Sequence, residues 1–179
     1  MNVFYEEDGG FKVGTVLSST DAALQVEAPH GKRSKIKTNH VLLRFTSPLA
    51  DFLPTAEAIA AEVDIDFLWE CCGQDEFGFE ALAQDYVGHP PSAVEAAAIA
   101  LRLHSAPIYF HRKGRGRYRA APEDILKAAL AGQEKRRLQE VQITEWAAQL
   151  AAGMLPEAIA SQLMTLLHRP DKNTLEWKA

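Results

Sequence analysis

The sequence has few cysteines, no long hydrophobic run and no cation in a large part of its middle. Its two cysteines, Cys71 and Cys72, are neighbours, and adjacent cysteines rarely form a disulfide because the bond strains the peptide between them. No apolar stretch reaches the roughly 18 residues of a transmembrane helix. The first ten residues are acidic and polar, unlike a secretory signal. We therefore expect a cytoplasmic protein with no membrane contact.

The signatures of a catalytic or metal site are also missing. The sequence contains no readable Ser-His-Asp or Cys-His order, no phosphate-binding glycine motif and no zinc spacing of cysteines and histidines. The acidic residues between 64 and 85 alternate with core-like Phe67, Leu68 and Trp69. We interpret them as a solvated face rather than a two-metal nuclease site. We expect no cofactor, no metal and no catalytic residue in this chain.

Two segments each contain charges of only one sign, although the net charge is only −5. Residues 46–100 contain eleven Asp and Glu and no Lys or Arg, whereas residues 101–119 contain six Lys and Arg and no acid. Segregation of this kind creates a local field that the total charge conceals. A polyanionic partner is therefore compatible with an acidic protein.

The first 45 residues have the pattern of a small β unit. Short runs rich in β-branched and aromatic residues alternate with turn-forming residues. They predict strands over Asn2–Glu6, Phe11–Leu17, Ala23–Glu27, Arg33–Lys37 and Val41–Phe45. Five short strands with tight turns indicate a barrel of SH3-like size.

The pattern changes to helical after Ser47-Pro48. We predict helices over Pro54–Val63, from an Asp64 N-cap to Cys71, over Phe79–Tyr86, and over Ser92–Ser105 with a capping box of Ser92 and Glu95. The strands Ile108–Arg112 and Arg117–Ala120 follow, joined by a glycine-rich turn. The last three of these helices, followed by the hairpin, indicate a winged helix. Beyond it, we predict a long helix from Pro122 to about Ala152, ended by Gly153, and another over Pro156–His168.

The predicted fold class is therefore α+β: a small SH3-like β-barrel, then a winged-helix domain and C-terminal helices. We place the barrel at residues 1–47, the winged helix at 52–121 and the helical segment at 122–179. The chain ends at Trp177-Lys178-Ala179 within a predicted helix, which we interpret as the end of a fragment of a longer protein.

The hairpin at 108–119 is the strongest functional signal. Five cations fall within eight residues, Arg112 to Arg119, interleaved with aromatic residues and glycines. Lys and Arg neutralise phosphates, aromatic rings stack on unpaired bases, and Gly114 and Gly116 permit a tight turn. The aromatic residues are equally well explained as core, since alternate strand residues point inward. The candidate nucleic-acid-binding residues here are Tyr109, His111, Arg112, Lys113, Arg115, Arg117 and Tyr118.

A second basic element follows the fourth predicted strand. Alternation in Ser34-Lys35-Ile36-Lys37 places both lysines on one face and Ile36 on the other. The candidate nucleic-acid-binding residues are Lys32, Arg33, Lys35 and Lys37. They are equally well explained as charges that protect the edge of a sheet from pairing with another chain.

Several segments resemble the N-terminal region of bacterial exoribonuclease II proteins of the RNB family. The resemblance covers nearly the whole chain. It rests on Ile65–Cys72 (IDFLWECC), Ser92–Ala97 (SAVEAA), Ala106–Phe110 (APIYF), Gly114–Tyr118 (GRGRY), Ala121–Asp124 (APED), Arg169–Asn173 (RPDKN) and Leu175–Lys178 (LEWK).

This resemblance implies a parent enzyme that degrades RNA hydrolytically from the 3′ end with Mg²⁺. Its catalytic aspartates belong to an RNB domain too large to fit within this chain, so no catalytic residue carries over. Many family members begin with cold-shock barrels of the OB type, and this chain departs from them in its smaller barrel and winged helix. The implied partners are single-stranded RNA and the protein's own C-terminal catalytic domain.

We therefore predict an RNA-binding N-terminal module that guides single-stranded RNA to a catalytic domain. One rival is a winged-helix DNA-binding regulator, but the alanine-rich helix 92–105 offers few side chains for reading bases. The other rival is a protein–protein adaptor with an acidic contact surface. An enzyme complete within these residues is the least favoured interpretation.

Overall fold

The computed structural model describes residues 1–155 and 157–160. These residues fall into two compact units, divided between Glu123 and Asp124. The elements of the first unit are β1 Asn2–Glu7, β2 Gly10–Ser19, β3 Ala23–Glu27, β4 Arg33–Lys37, a 3-10 turn Thr38–His40, β5 Val41–Phe45, α1 Leu49–Glu62, α2 Ile65–Glu70, β6 Phe77–Gly78, α3 Phe79–Val87, α4 Ala93–Ser105, β7 Phe110–Gly114 and β8 Arg117–Ala120. Helix α5, Glu123–Ala151, begins at the last residue of this unit, and α6 is Glu157–Ala160.

Two antiparallel sheets form in the first unit. The five-stranded sheet has the order β4-β3-β2-β1-β5, and the smaller sheet has the order β6-β8-β7. The α+β class, the five N-terminal strands, the hairpin and the C-terminal helices are confirmed. Strand β6 was not predicted, because it is two residues long and forms only by pairing with Arg117 and Tyr118, about 40 residues further along the chain.

The helix-capping predictions are confirmed. The Asp64 carboxylate accepts hydrogen bonds from the amides of Asp66 and Phe67, and Ser92 and Glu95 form the reciprocal capping box of α4. Gly88 ends α3 in the left-handed conformation, and Gly153 follows the end of α5 with φ +79°. The prediction that a helix runs to His168 lies outside the described residues after Ala160.

The prediction for the start of α1 was wrong by five residues. The helix begins at Leu49 and contains Pro54, although proline removes one backbone hydrogen bond within a helix. Packing explains the earlier start, because Phe52 is buried and stacks on Phe45 with ring centroids 3.7 Å apart. The extra turn places this aromatic pair in the core.

Strand β1 is buried on both faces and joins the two cores of the first unit. Val3 and Tyr5 pack with Leu24, Val26 and Ile36 on one face of the five-stranded sheet. Phe4, from the opposite face, packs with the helices and the smaller sheet. The five-stranded sheet is therefore covered by the helices on the face that carries Phe4.

Candidate nucleic-acid interface

The hairpin β7–β8 has one buried face and one exposed basic face. Register pairs Phe110 with Ala120 and Arg112 with Tyr118 on the inner face. His111 is paired with Arg119 on the opposite face. Along β8 the burial alternates, so that Arg117 and Arg119 are exposed while Tyr118 and Ala120 are buried. We call His111, Lys113, Arg115, Arg117 and Arg119 the basic face.

The aromatic residues of the hairpin lie mainly in the core. Tyr118 is 1% exposed and Phe110 is likewise buried, so neither ring offers a free face to a base in this structure. Tyr109 is half-buried. Burial raises the pKa of Tyr109, and a hydrogen bond to Asp66 raises it further. The core interpretation therefore accounts for Tyr118, and Tyr109 already has a protein partner.

Arg112 is turned inward and joins the two sheets. It donates a hydrogen bond to the carboxylate of Glu6, on β1, and Glu6 is only 2% exposed. The Arg112 side chain is about half exposed. Removing one partner of a buried charge pair leaves the other uncompensated. Arg112 therefore has a structural role that the sequence did not predict.

Next to this ion pair, two buried oxygens lack hydrogen bonds. Neither the second carboxylate oxygen of Glu6 nor the Tyr118 hydroxyl has a partner within the part of the chain described here. Burial raises the pKa of Tyr118 to about 12, the Glu6 charge adds to the rise, and the Arg112 charge opposes it. Glu6 and Tyr118 are buried and Arg112 is half exposed, so the three side chains form a partly buried polar cluster.

The cations of the basic face differ in their partners. Arg117 forms an ion pair with Glu76 at 2.5 Å, and Arg119 donates to the backbone oxygen of Gln74 at 2.7 Å. Lys113 and Arg115 are exposed and form no ion pair within residues 1–155 and 157–160. Arg119 was missing from the predicted site, although its position two residues after Arg117 places it on the same face of the strand.

Gly116 has a packing role at the turn of the hairpin. Its φ is +66°, and a Cβ atom there would lie 2.9 Å from the Phe79 ring and 3.1 Å from the Leu42 side chain. Its carbonyl accepts the Phe79 amide at 2.9 Å. The end of the hairpin is thus fastened to α3 and β5, so the glycine serves the fold rather than a ligand.

Strand β4 presents the second basic row. Arg33, Lys35 and Lys37 are exposed, while Ile36 is 2% exposed, which confirms the predicted alternation. β4 is an edge strand of the five-stranded sheet. Arg33 pairs with Glu27 at 2.9 Å, whereas Lys32, Lys35 and Lys37 form no ion pair among the residues described. Both interpretations of this row, nucleic-acid contact and protection of the edge, fit its position.

Helix α4 is a packing helix, as its composition predicts. Ala96 to Ala100 and Leu103 are all buried. Arg102, the one cation among these helical residues, donates to the backbone oxygen of Val63 at 3.1 Å. The helix therefore presents no row of polar side chains for reading a DNA groove.

No helix among the described residues is long and apolar enough to cross a membrane.

Comparison with known proteins identifies no relative of this chain. No protein-family model, no curated protein and no solved structure matches this chain.

Proposed function

We propose that this chain is an RNA-binding module that guides single-stranded RNA to the catalytic domain of a hydrolytic 3′-to-5′ exoribonuclease of the RNB family, which lies outside this sequence. The observation that carries the RNA-binding part is the basic face of the hairpin. It brings together five basic residues: His111, Arg117 and Arg119 lie on the exposed side of the hairpin, Lys113 lies at the register shift in β7, and Arg115 lies in the turn. The exoribonuclease assignment rests on the resemblance in sequence.

The basic face suits an extended polyanion. Lys113 and Arg115 have no acidic partner among the described residues, and Arg119 uses one of its five N–H donors on Gln74. Arg117 shares its charge with Glu76, and that pair is about half exposed. Exposed ion pairs contribute little stability, so phosphate can replace Glu76 at small cost. Cations that neutralise phosphates release counterions, which favours binding without regard to sequence.

The fold supports the finer architecture that we propose. The order β4-β3-β2-β1-β5, the 3-10 turn between β4 and β5, and the register shift in β2 between Val16 and Ser18 fit a small SH3-like barrel. The succession α2-β6-α3-α4-β7-β8 with sheet order β6-β8-β7 fits a winged helix. On this proposal, the hairpin β7–β8 is the wing.

The proposed enzyme would use Mg²⁺, which we assign to its catalytic domain. The described residues bring together no group of three His, Cys, Asp or Glu side chains that could hold a metal ion. They therefore do not fit a Mg²⁺ site, and we derive no catalytic step from them. A cytoplasmic location stays a prediction.

The proposal is tested by fluorescence-anisotropy titration of labelled single-stranded RNA, duplex RNA and duplex DNA across a salt series. We expect preference for single strands, with affinity that falls as salt rises. The variant with Lys113→Ala and Arg115→Ala should reduce the slope of log affinity against log salt by about 1.4, at about 0.7 per phosphate contact of a single strand.

A matched control removes two cations elsewhere. Lys12 and Arg137 each pair with a neighbouring glutamate on the surface, and Lys12→Ala with Arg137→Ala removes the same total charge. This variant should retain the wild-type slope. Equal losses in both variants would show that only net charge matters, and absence of RNA binding at low salt would refute the proposal.

A second candidate function, a protein adaptor, is favoured by α5. Its residues Ile125, Leu138, Val141 and Leu150 are 39–54% exposed, and exposed apolar side chains on one helix suit a protein partner. The catalytic domain of the same protein is the partner that we propose for this helix. Binding of the chain to that domain, supplied separately, with no affinity for RNA would favour the adaptor.

A further inference from the structure

A cavity of about 400 Å³ lies beside the basic face. It is lined by parts of α2, residues 72–74, the end of β8 and residues 121–123. Trp69, Gln74 and Arg119 contribute aromatic, amide and cationic walls. Because Arg119 belongs to both the basic face and the cavity, a ligand on the basic face can reach into it.

Trp69 forms a fixed aromatic wall. Its ring nitrogen donates to the backbone oxygen of Ala121 at 2.9 Å, and the side chain is half-buried against the hydrophobic core. The one polar group of the indole is therefore satisfied, which leaves the ring to act through its surface. Aromatic walls of this kind bind unpaired bases by stacking, with little regard to sequence.

The charges of the cavity favour a nucleotide over a polyphosphate. Arg119 supplies a guanidinium that is exposed on the basic face. Glu70, which is exposed, also lines the cavity, and its carboxylate repels a second phosphate group there. Carboxylates accept hydrogen bonds from the amino groups of bases such as cytosine. A nucleotide with its base in the cavity and its one phosphate on Arg119 is compatible with both the negative and the positive charges of the lining.

We propose that this cavity binds one unstacked nucleobase of a single-stranded nucleic acid, with the base against Trp69 and the adjoining phosphate on Arg119. The identity of that acid as RNA rests on the proposed function above. The basic face then holds the backbone, and the cavity explains a preference for strands with unpaired bases. This role differs from that of Lys113 and Arg115, which contact phosphate alone.

The first test uses mononucleotides, which do not need the rest of the basic face. The chain has three tryptophans, and Trp146→Phe with Trp177→Phe leaves Trp69 as the only one. Cytidine 5′-monophosphate at millimolar concentration should quench the Trp69 fluorescence in a saturable manner. Ribose 5-phosphate, which lacks a base, and inorganic phosphate should leave it unchanged.

The second test uses a ten-nucleotide cytidine RNA and an abasic strand of the same length. We expect the RNA to bind about tenfold more tightly than the abasic strand, as one stacked base provides. Trp69→Leu should abolish this difference and leave the salt dependence unchanged. Trp69→Phe keeps a ring and should retain part of the difference, and a circular-dichroism melt checks that each variant folds.

The outcomes separate the two proposals. Salt-dependent RNA binding with equal affinity for the abasic strand and no quenching would overturn the cavity proposal and leave the RNA-binding module intact. Quenching by cytidine 5′-monophosphate without RNA binding would support the cavity and refute the module. If Arg119→Ala binds the mononucleotide as well as the wild type does, the assignment of the phosphate is wrong.

Discussion

At the scale of single residues, Arg112 is a cation that we expect to contribute to the stability of the fold rather than to RNA binding. It lies within the most basic segment of the chain, yet its guanidinium pairs with buried Glu6. Arg112→Ala leaves that carboxylate buried without its partner, so we expect the free energy of unfolding to fall by about 2 kcal/mol. Urea denaturation measures this, and RNA affinity should change much less than in the Lys113 and Arg115 variant.

The matched control for Arg112 is Lys12, which pairs with Glu7 at the surface. Lys12→Ala should cost less than about 1 kcal/mol. Adding Glu6→Gln to the Arg112→Ala variant removes the stranded charge and should restore part of the lost stability. If the single Arg112 variant is as stable as the wild type, the ion pair has no structural role.

The raised pKa of Tyr118 leads us to expect that the folded protein loses stability at alkaline pH. Its pKa is about 12 in the folded protein against about 10 in an unfolded chain, so the folded state holds the proton more tightly. The stability that this difference in pKa provides is fully present below about pH 10 and is lost as the pH rises from about 10 to 12. Thermal unfolding measured over that range should show the loss, and Tyr118→Phe should remove this contribution.

The same substitution tests the unpaired hydroxyl. Tyr118→Phe removes a buried oxygen that has no hydrogen-bond partner in the described residues, so at neutral pH it should leave stability unchanged or raise it by up to about 1 kcal/mol. A loss of more than about 1 kcal/mol would indicate a hydrogen bond that these contacts do not contain.

The residue pattern predicted on which face of a strand a side chain lies, but not which distant residue it contacts. Alternation correctly separated Ile36 from Lys35 and Lys37, because a strand has only two faces. It could not identify Glu6 as the partner of Arg112, because 106 positions separate them. For the same reason, the predicted basic cluster contained residues with quite different roles.

At the scale of elements, the turn of the hairpin β7–β8 depends on Gly116. We expect Gly116→Ala to lower the free energy of unfolding by about 2 kcal/mol or more, because a left-handed backbone costs a side chain about 1 kcal/mol and the new methyl group also meets Phe79. Gly9→Ala is the matched control, since Gly9 has φ +75° but open space around it. Equal costs in a denaturation series would refute the packing role.

The role of strand β4 can be tested separately from that of the hairpin β7–β8. If Lys35 and Lys37 contact RNA, Lys35→Ala with Lys37→Ala should reduce the salt slope by about 1.4, additively with the Lys113 and Arg115 changes. If they protect the edge of the sheet, the slope stays constant and the variant aggregates more readily. Anisotropy and light scattering on the same samples distinguish these results, and Arg33→Ala, which breaks an exposed pair with Glu27, is the control.

Elements that depend on residues close in sequence were predictable, whereas elements that depend on contacts with residues far along the chain were not. Ser92 and Glu95 signal the start of α4 within four residues, and Gly88 signals the end of α3. Strand β6 has no such signal, since Phe77 and Gly78 become a strand only by pairing with β8. The early start of α1 likewise depends on contact between Phe52 and Phe45.

At the scale of the whole molecule, the first unit should unfold as one. Phe4 packs with Phe11 and Phe52, so its loss affects strands and helices together. Phe4→Ala should cost about 3–5 kcal/mol and reduce the hydrogen-exchange protection of β3 and α4 amides by the same factor. Loss of protection confined to the sheet would indicate two independent domains, and exposed Leu138→Ala is the control.

The domain organisation was the hardest feature to predict. The change of pattern at Ser47-Pro48 correctly marks where strands give way to helices. The division into domains at residues 47 and 52 stays a prediction, since Phe45 and Phe52, one on each side of it, share a core. A sequence shows where the period changes but not which apolar faces meet across the change.

The fastening of the hairpin has a consequence for the rate of binding. Gly116 against Phe79 and Leu42, together with the Arg112 and Glu6 pair, holds the basic face in place before any ligand arrives. Association then requires no slow closure of a loop, so the observed rate should rise linearly with RNA concentration without reaching a plateau. Electrostatic steering should govern the association rate constant, which should fall as ionic strength rises.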